Sequence, residues 1–232
     1  AGKFNAVWQQ FTLENWTHPF ADRDLVNALL LSLRIAVIAT LVALVLGTCI
    51  AIALVRYRFR GRSTTNLLIF LPMATPEVVM GASLLALFLN MKFPLGIVTV
   101  TVAHIMFIIS FVVVTVKARL QGMDPRLEEA ARDLYANPRA TFRYVTLPIV
   151  LPGILGAALL GFSLSFDDFI ISYFNAGTLV TFPIYIWGAA QRGIPVQVNA
   201  LASLVFLATL AIVVTTTLVG QRRRRALESR IG

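Results

Sequence analysis

Three carboxylates stand where carboxylates are expensive. Glu77, Asp167 and Asp168 fall within long apolar runs, and an acidic side chain at the centre of a membrane helix costs about 2.5–3.5 kcal/mol on insertion scales. Groups held at that cost mark a pathway, a partner or a broken helix. Arg34 is the one basic residue expected at comparable depth, so an excess of negative charge remains that a polyvalent cation would neutralise. The chemistry open to such a site is charge-assisted hydrogen bonding between ammonium groups and carboxylates, with Phe166, Phe169, Tyr173 and Trp187 offering ring faces to the cation. Adjacent Asp167 and Asp168 point about 100° apart on a helix, so at most one faces a pathway squarely. Two structural alternatives use the same residues. Asp167 or Asp168 caps a broken helix or pairs with Arg34 or another chain, and Glu77, directly after Pro76, satisfies backbone groups that the proline frees.

Other chemistries are poorly served. The single Cys49 and the widely separated His18 and His104 exclude a disulfide framework and a zinc site, and no metal is expected. The carboxylates have no His or Cys partner recognisable from spacing, which argues against an enzyme. His104 reads as a buried histidine bonded to a neighbouring helix, with a proton- or substrate-handling role as the alternative. No G-x-x-x-x-G-K-[ST] loop occurs, so the chain has no P-loop of its own for nucleotide phosphates.

The elements that must position these residues follow from composition. Of 232 residues, 58% are hydrophobic and 13% charged, against roughly 45–50% and 25% in soluble domains. Five stretches, 29–55, 66–89, 96–116, 149–171 and 198–219, are long enough to cross a hydrocarbon core, which takes about 20 helical residues. The expectation is an all-α membrane protein, a multi-span helical bundle in which Pro72 and Pro76 kink the second span. Fifteen of the twenty Lys and Arg fall between spans one and two, between three and four, or after span five. This clustering between apolar runs orients the chain, with those loops and the C-terminus cytoplasmic, and does not describe a nucleic-acid surface. An odd number of crossings leaves the N-terminus outside, and a sixth span upstream of Ala1 is expected. The organisation is then an extracytoplasmic segment 1–28 with Trp8 and Trp16 as interfacial anchors, a transmembrane domain 29–220, and a basic tail 221–232 near anionic lipid.

The connection 117–147 differs from the other loops. Leu127, Ala130, Ala131 and Leu134 recur at helical spacing with Glu128, Arg132 and Asp133 opposite, which predicts two short helices joined at Ala136-Asn137-Pro138. A small apolar face between charged flanks suits docking to another protein or resting on lipid.

Within it, Glu129-Ala130-Ala131, three residues, Tyr135, nine residues and Val145-Thr146-Leu147-Pro148 resemble the EAA loop of type I ABC importer permeases, usually E-A-A, three residues, Gly, nine residues, Ile-x-Leu-Pro. Tyr135 stands where the family has Gly. A Cβ is disfavoured in a left-handed turn, so either Asn137 takes that role or the turn is shaped differently. The likeness continues through Arg56–Gly61, Leu71-Pro72 to Pro76–Met80, Phe111–Val116, Leu164–Asp168 and Pro195 to Ala202, and is strongest to the second permease subunits of spermidine/putrescine importers. The resemblance implies a non-enzymatic transport subunit in a bacterial plasma membrane. Its implied partners are a second permease subunit, a dimer of ATPase subunits holding ATP and Mg, and an extracytoplasmic solute-binding protein, with a polyamine as cargo. Glu129, Ala130, Ala131, Asp133, Leu134, Tyr135, Leu147 and Pro148 would meet the ATPase. Glu77, Phe166, Asp167, Asp168, Tyr173 and Trp187 are the candidate pathway residues. Alternatives are a permease of the same class for iron, thiamine or a phosphonate, or an ATP-independent channel.

Overall fold

The computed structural model describes residue 20, residues 22–192, and Val198, Asn199, Ser203 and Leu207. The expected fifth span, apart from those four positions, the two tryptophans of the N-terminal segment and the basic tail lie outside the described residues. Every element among the described residues is a helix.

Helix α1, Arg23–Arg56, runs 34 residues, about 50 Å at 1.5 Å per residue. Asp22 starts it: Oδ1 accepts the amides of Asp24 at 2.9 Å and Leu25 at 3.1 Å, groups that no preceding turn could satisfy. The second expected span is two helices, α2 (Arg62–Ala74) and α3 (Glu77–Asn90), bent by 108°. Pro72 sits inside α2 without ending it. The break falls at Pro76, the N-cap of α3, while the amide and hydroxyl of Thr75 both return to the Leu71 carbonyl, at 3.0 and 2.7 Å.

Helix α4, Ile97–Gln121, is longer than the sequence suggested. The positions expected to open a loop are helical because their basic side chains find partners on neighbouring elements: Lys117 Nζ donates to Asn66 Oδ1 at 2.6 Å and Arg119 Nε to the Ile149 carbonyl at 2.9 Å. The loop proper therefore starts at Gly122, not 117. It holds α5 (Arg126–Asp133) and α6 (Pro138–Thr141), the two short helices expected, then a π-helical turn, Phe142–Thr146, that feeds α7 (Leu147–Phe166). The fourth expected span stops early, at Phe166, and resumes as α8 (Ile170–Asn175); α9 is Phe182–Arg192.

By length and apolarity three helical stretches among the described residues can cross a membrane, Arg23–Arg56, Ile97–Gln121 and Pro138–Phe166, or four if the bent α2–α3 pair counts as one. Their outward faces are apolar too: Val45 is 65% and Leu159 72% exposed, as suits contact with lipid.

The described residues form two compact units. In the larger, Ala28–Ile184, α4 packs against α2, α3, α7 and α8, and α3 against α8. Its core joins Ala39, Ala43, Ala51 and Leu54 of α1 to Phe107, Ile108, Val112 and Val116 of α4, with Ala157 of α7 and Ile171 of α8. Small residues set the close approach: a Cβ on Gly47 would lie 2.7 Å from Val112 Cγ1, so the helices meet there only because it is absent. In the smaller unit, the Tyr185 hydroxyl donates to Asp22 Oδ2 at 2.6 Å, and this bond holds the Asp22 carboxyl below its usual range.

Candidate functional site

The break after α7 places the acids. Asp167 is the C-cap of α7 and is exposed. Asp168 is 7% exposed; its carboxylate accepts the α8 amides of Ile171 at 3.4 Å and Ser172 at 2.9 Å. The capping alternative is thus the one observed for Asp168. Neither aspartate is bonded to Arg34, which is exposed. Glu77 opens α3, and one turn on Gly81 presses against α8, where a Cβ would meet Phe174 Cδ2 at 3.0 Å. This packing brings Glu77 and Asp167 near enough for both charges to act on Asp168. The three acids form one cluster, with Asp168 closed by its own helix and the other two open.

A sealed polar core lies behind the cluster. The His104 ring, 1% exposed, is hydrogen bonded through Nδ1 to Ser165 Oγ at 2.7 Å and through Nε2 to Ser172 Oγ at 3.0 Å. It stitches α4 to α7 and α8, as expected of a histidine bonded to neighbouring helices. Thr99 accepts the Gly96 amide at 2.8 Å and donates to the Asn175 carbonyl at 2.7 Å, while Asn175 Nδ2 donates to the carbonyls of Gly81 and Ile171, at 3.2 and 3.0 Å. One sequence expectation is corrected here: a carboxylate does have a histidine beside it, since His104 Nε2 is 3.6 Å from Asp168 Oδ2. The two residues are 64 positions apart in sequence, so no local spacing signalled it. Ser165 Oγ and Asp168 Oδ2 lie on opposite ring nitrogens, at 2.7 and 3.6 Å, and Ser172 Oγ shares Nε2 with the carboxylate.

The aromatic residues divide. Phe166 stacks with Phe162 and Phe182, at 5.9 and 5.8 Å between centroids, so its ring is engaged in a stack. Tyr173, 60% exposed, packs on Phe169 at 5.3 Å and keeps the more open face. Trp187, 53% exposed, lies on α9 in the smaller unit.

The loop reverses the usual burial. Leu127 is 47%, Leu134 82% and Tyr135 99% exposed, whereas Glu128, expected opposite the apolar face, is 5% exposed. The reason is pairing: Glu128 accepts both terminal nitrogens of Arg56 and the hydroxyl of Thr146. Glu129, Ala130 and Asp133 are exposed, as is Pro148, while Ala131 and Leu147 are half-buried. Helix α5 ends in a Schellman turn in which the Tyr135 amide donates to the Arg132 carbonyl at 2.9 Å and the Ala136 amide to that of Ala131 at 3.0 Å. Tyr135 itself occupies the left-handed position, φ 61°. Asn137 does not take that role; its φ is −70° and it caps α6, accepting the Ala140 amide at 2.8 Å. Sequence reasoning missed the pairing of Arg56 and Glu128, read as a topology charge and a charge opposite the loop's apolar face; 72 residues separate them and no periodicity links them.

The model of the family described as binding-protein-dependent transport system inner membrane component matches residues 25–232. The chain belongs to this family. Among family relatives, the spermidine/putrescine transport system permease protein PotC of Haemophilus influenzae is 35% identical over 95% of this chain and 86% of its own length. The putrescine transport system permease protein PotI of Escherichia coli K12 is 35% identical over 88% of this chain and 76% of its own. A solved amino acid ABC transporter with histidines superposes with a TM-score of 0.66, covering 91% of this chain and all of that one, at 18% identity. That likeness is one of fold. As a member of the family, the chain is an inner-membrane transport component, and its broken helices and apolar outer faces fit that setting.

Proposed function

We propose that this chain is one of two permease subunits of an ATP-driven importer for a polyamine of the spermidine or putrescine type. The observation that carries the reading is the 35% identity, over nearly the whole chain, to a spermidine/putrescine permease, and the acid cluster at the α7–α8 break supplies matching chemistry. Glu77 and Asp167 are exposed carboxylates, each able to accept charge-assisted hydrogen bonds from an ammonium group. Tyr173 offers its ring to the methylene chain and the adjacent cation. Asp168 adds negative potential and holds α8 in place, each of its oxygens already accepting a backbone amide. An anionic solute would be repelled by the same cluster.

In this reading the loop faces the cytoplasm and Glu129, Ala130, Asp133, Leu134 and Tyr135 sit in a groove of an ATPase subunit. The exposed leucine and tyrosine give the docking its apolar anchor. ATP and Mg are held by that partner, and a solute-binding protein delivers the cargo on the opposite side. The test is reconstitution of the two permease subunits with the ATPase in lipid vesicles. Spermidine-loaded binding protein should stimulate ATP hydrolysis and drive uptake. Hydrolysis and uptake that respond to a loaded amino-acid-binding protein and not to spermidine would refute the polyamine reading, and uptake with no ATPase bound would refute the class.

A further inference from the structure

Glu128 is the one fully buried residue of α5. A short surface helix ordinarily holds to its protein by an apolar stripe, yet here Leu127 and Leu134 face outward and the residue facing inward is a carboxylate. Its partners lie on two different elements. Both terminal nitrogens of Arg56, in the last turn of α1, donate to it, and so does the hydroxyl of Thr146, at the end of the π-helical turn that becomes α7. A buried ion pair adds little net stability over an apolar contact of similar size, because desolvation of both charges offsets their attraction. What a two-pronged guanidinium–carboxylate pair does supply is a fixed relative orientation. The π-helical turn beside it interrupts an otherwise continuous helix, and such interruptions gather at functional positions. Beyond it, α7 runs 20 residues, about 30 Å, to the break that holds Asp167 and Asp168.

We propose that Glu128, clasped by Arg56 and Thr146, is the joint through which a displacement of α5 is passed to α1 and α7, and hence to the acid cluster. It is a positioning residue: it meets neither cargo nor nucleotide. The inference rests on the reading of α5 as the surface on which an ATPase acts. With Glu128 in place, α5 cannot shift without carrying the end of α1 and the start of α7. Without it, α5 follows the ATPase while the two long helices lag.

The experiment measures labelled spermidine taken up per ATP hydrolysed in vesicles holding the full complex. Glu128→Gln should leave the ATPase bound and hydrolysing but lower the ratio about tenfold, the scale of a typical coupling free energy. The charge-swapped pair Arg56→Glu with Glu128→Arg should recover most of the ratio, which a merely structural loss would not. Thr146→Val, which keeps the ion pair and the volume, should lower the ratio about threefold, and it decides the matter if Glu128→Gln does not assemble. A wild-type ratio in Glu128→Gln, or in Thr146→Val where that variant decides, overturns the proposal, as does an assembled swap that stays uncoupled. Wild-type complex that shows no ATP-driven spermidine uptake would instead overturn the function proposed above, leaving this joint to be tested with the solute that is carried.

Discussion

Helix α7 has a buried carboxylate at each end, and the two are held in opposite ways. Asp168, just past its last turn, is bound by amides three and four residues further along its own chain. Glu128, beside its first turn, is bound by side chains 72 and 18 residues away on separate elements. A carboxylate satisfied by its own following backbone is part of the scaffold, and it cannot be released without unwinding the helix it starts. One satisfied by side chains across elements makes those elements move together, and its bonds can be made or broken as the helices shift. Burial is nearly the same at the two sites; the origin of the donors separates them.

The comparison can be broken at several points. The largest effect is expected at the open side of the acid cluster, where Glu77→Gln combined with Asp167→Asn removes two charge-assisted bonds. At about 1.5–3 kcal/mol each, spermidine uptake at low concentration should fall at least about a hundredfold with the complex still assembled. Unchanged uptake would mean that the cluster is scaffold throughout. Next comes Asp168→Ala, which strands two buried amides and should lower the stability of the complex in detergent by about 2 kcal/mol, read as a lower melting temperature. Asp168→Asn keeps an acceptor for one of the two amides and should melt closer to wild type than Asp168→Ala, with uptake per ATP intact. If it melted normally but lost coupling, as expected of Glu128→Gln, the contrast between the ends of α7 would disappear. Tyr135→Gly should stabilise the folded loop by about 1 kcal/mol by relieving the left-handed backbone, measured by protection of the loop's amides from hydrogen exchange. The smallest effect belongs to Tyr185→Phe. Because the bond from Tyr185 lowers the Asp22 carboxyl in the folded state, it contributes stability present above the ordinary aspartate value and lost as pH falls through the lower folded one. The variant should lose that increment at neutral pH and show a weaker acid-side fall in melting temperature, and an unchanged acid limb would remove the bond from the account.

Much of the architecture was legible because a membrane leaves the chain few choices. Apolar runs of sufficient length marked α1, the α2–α3 pair, α4 and α7, and Pro76 marked a discontinuity. The helical spacing of Leu127, Ala130, Ala131 and Leu134 and the break at Pro138 located α5 and α6, and the EAA pattern named loop residues most of which are exposed. Two things were hidden. The sharpness of the α2–α3 bend depends on what packs against it, and composition does not encode that. The burial of Glu128 and the approach of His104 to Asp168 arise from pairs of residues distant in sequence, and helical periodicity reports only on neighbours along one element. For the same reason one residue on the charged side of α5, Glu128, turned out buried while Arg132 and Asp133 stay exposed, since only a facing partner tells them apart.

Tyr135 leaves the loop with a phenol standing clear of the protein, at the position that is usually glycine in the EAA pattern this loop resembles. A motor whose cleft is cut to fit a bare backbone has no room for six ring carbons and a hydroxyl. With the loop seated in an ATPase groove as proposed above, that bulk would admit a deeper cleft and refuse a shallower one.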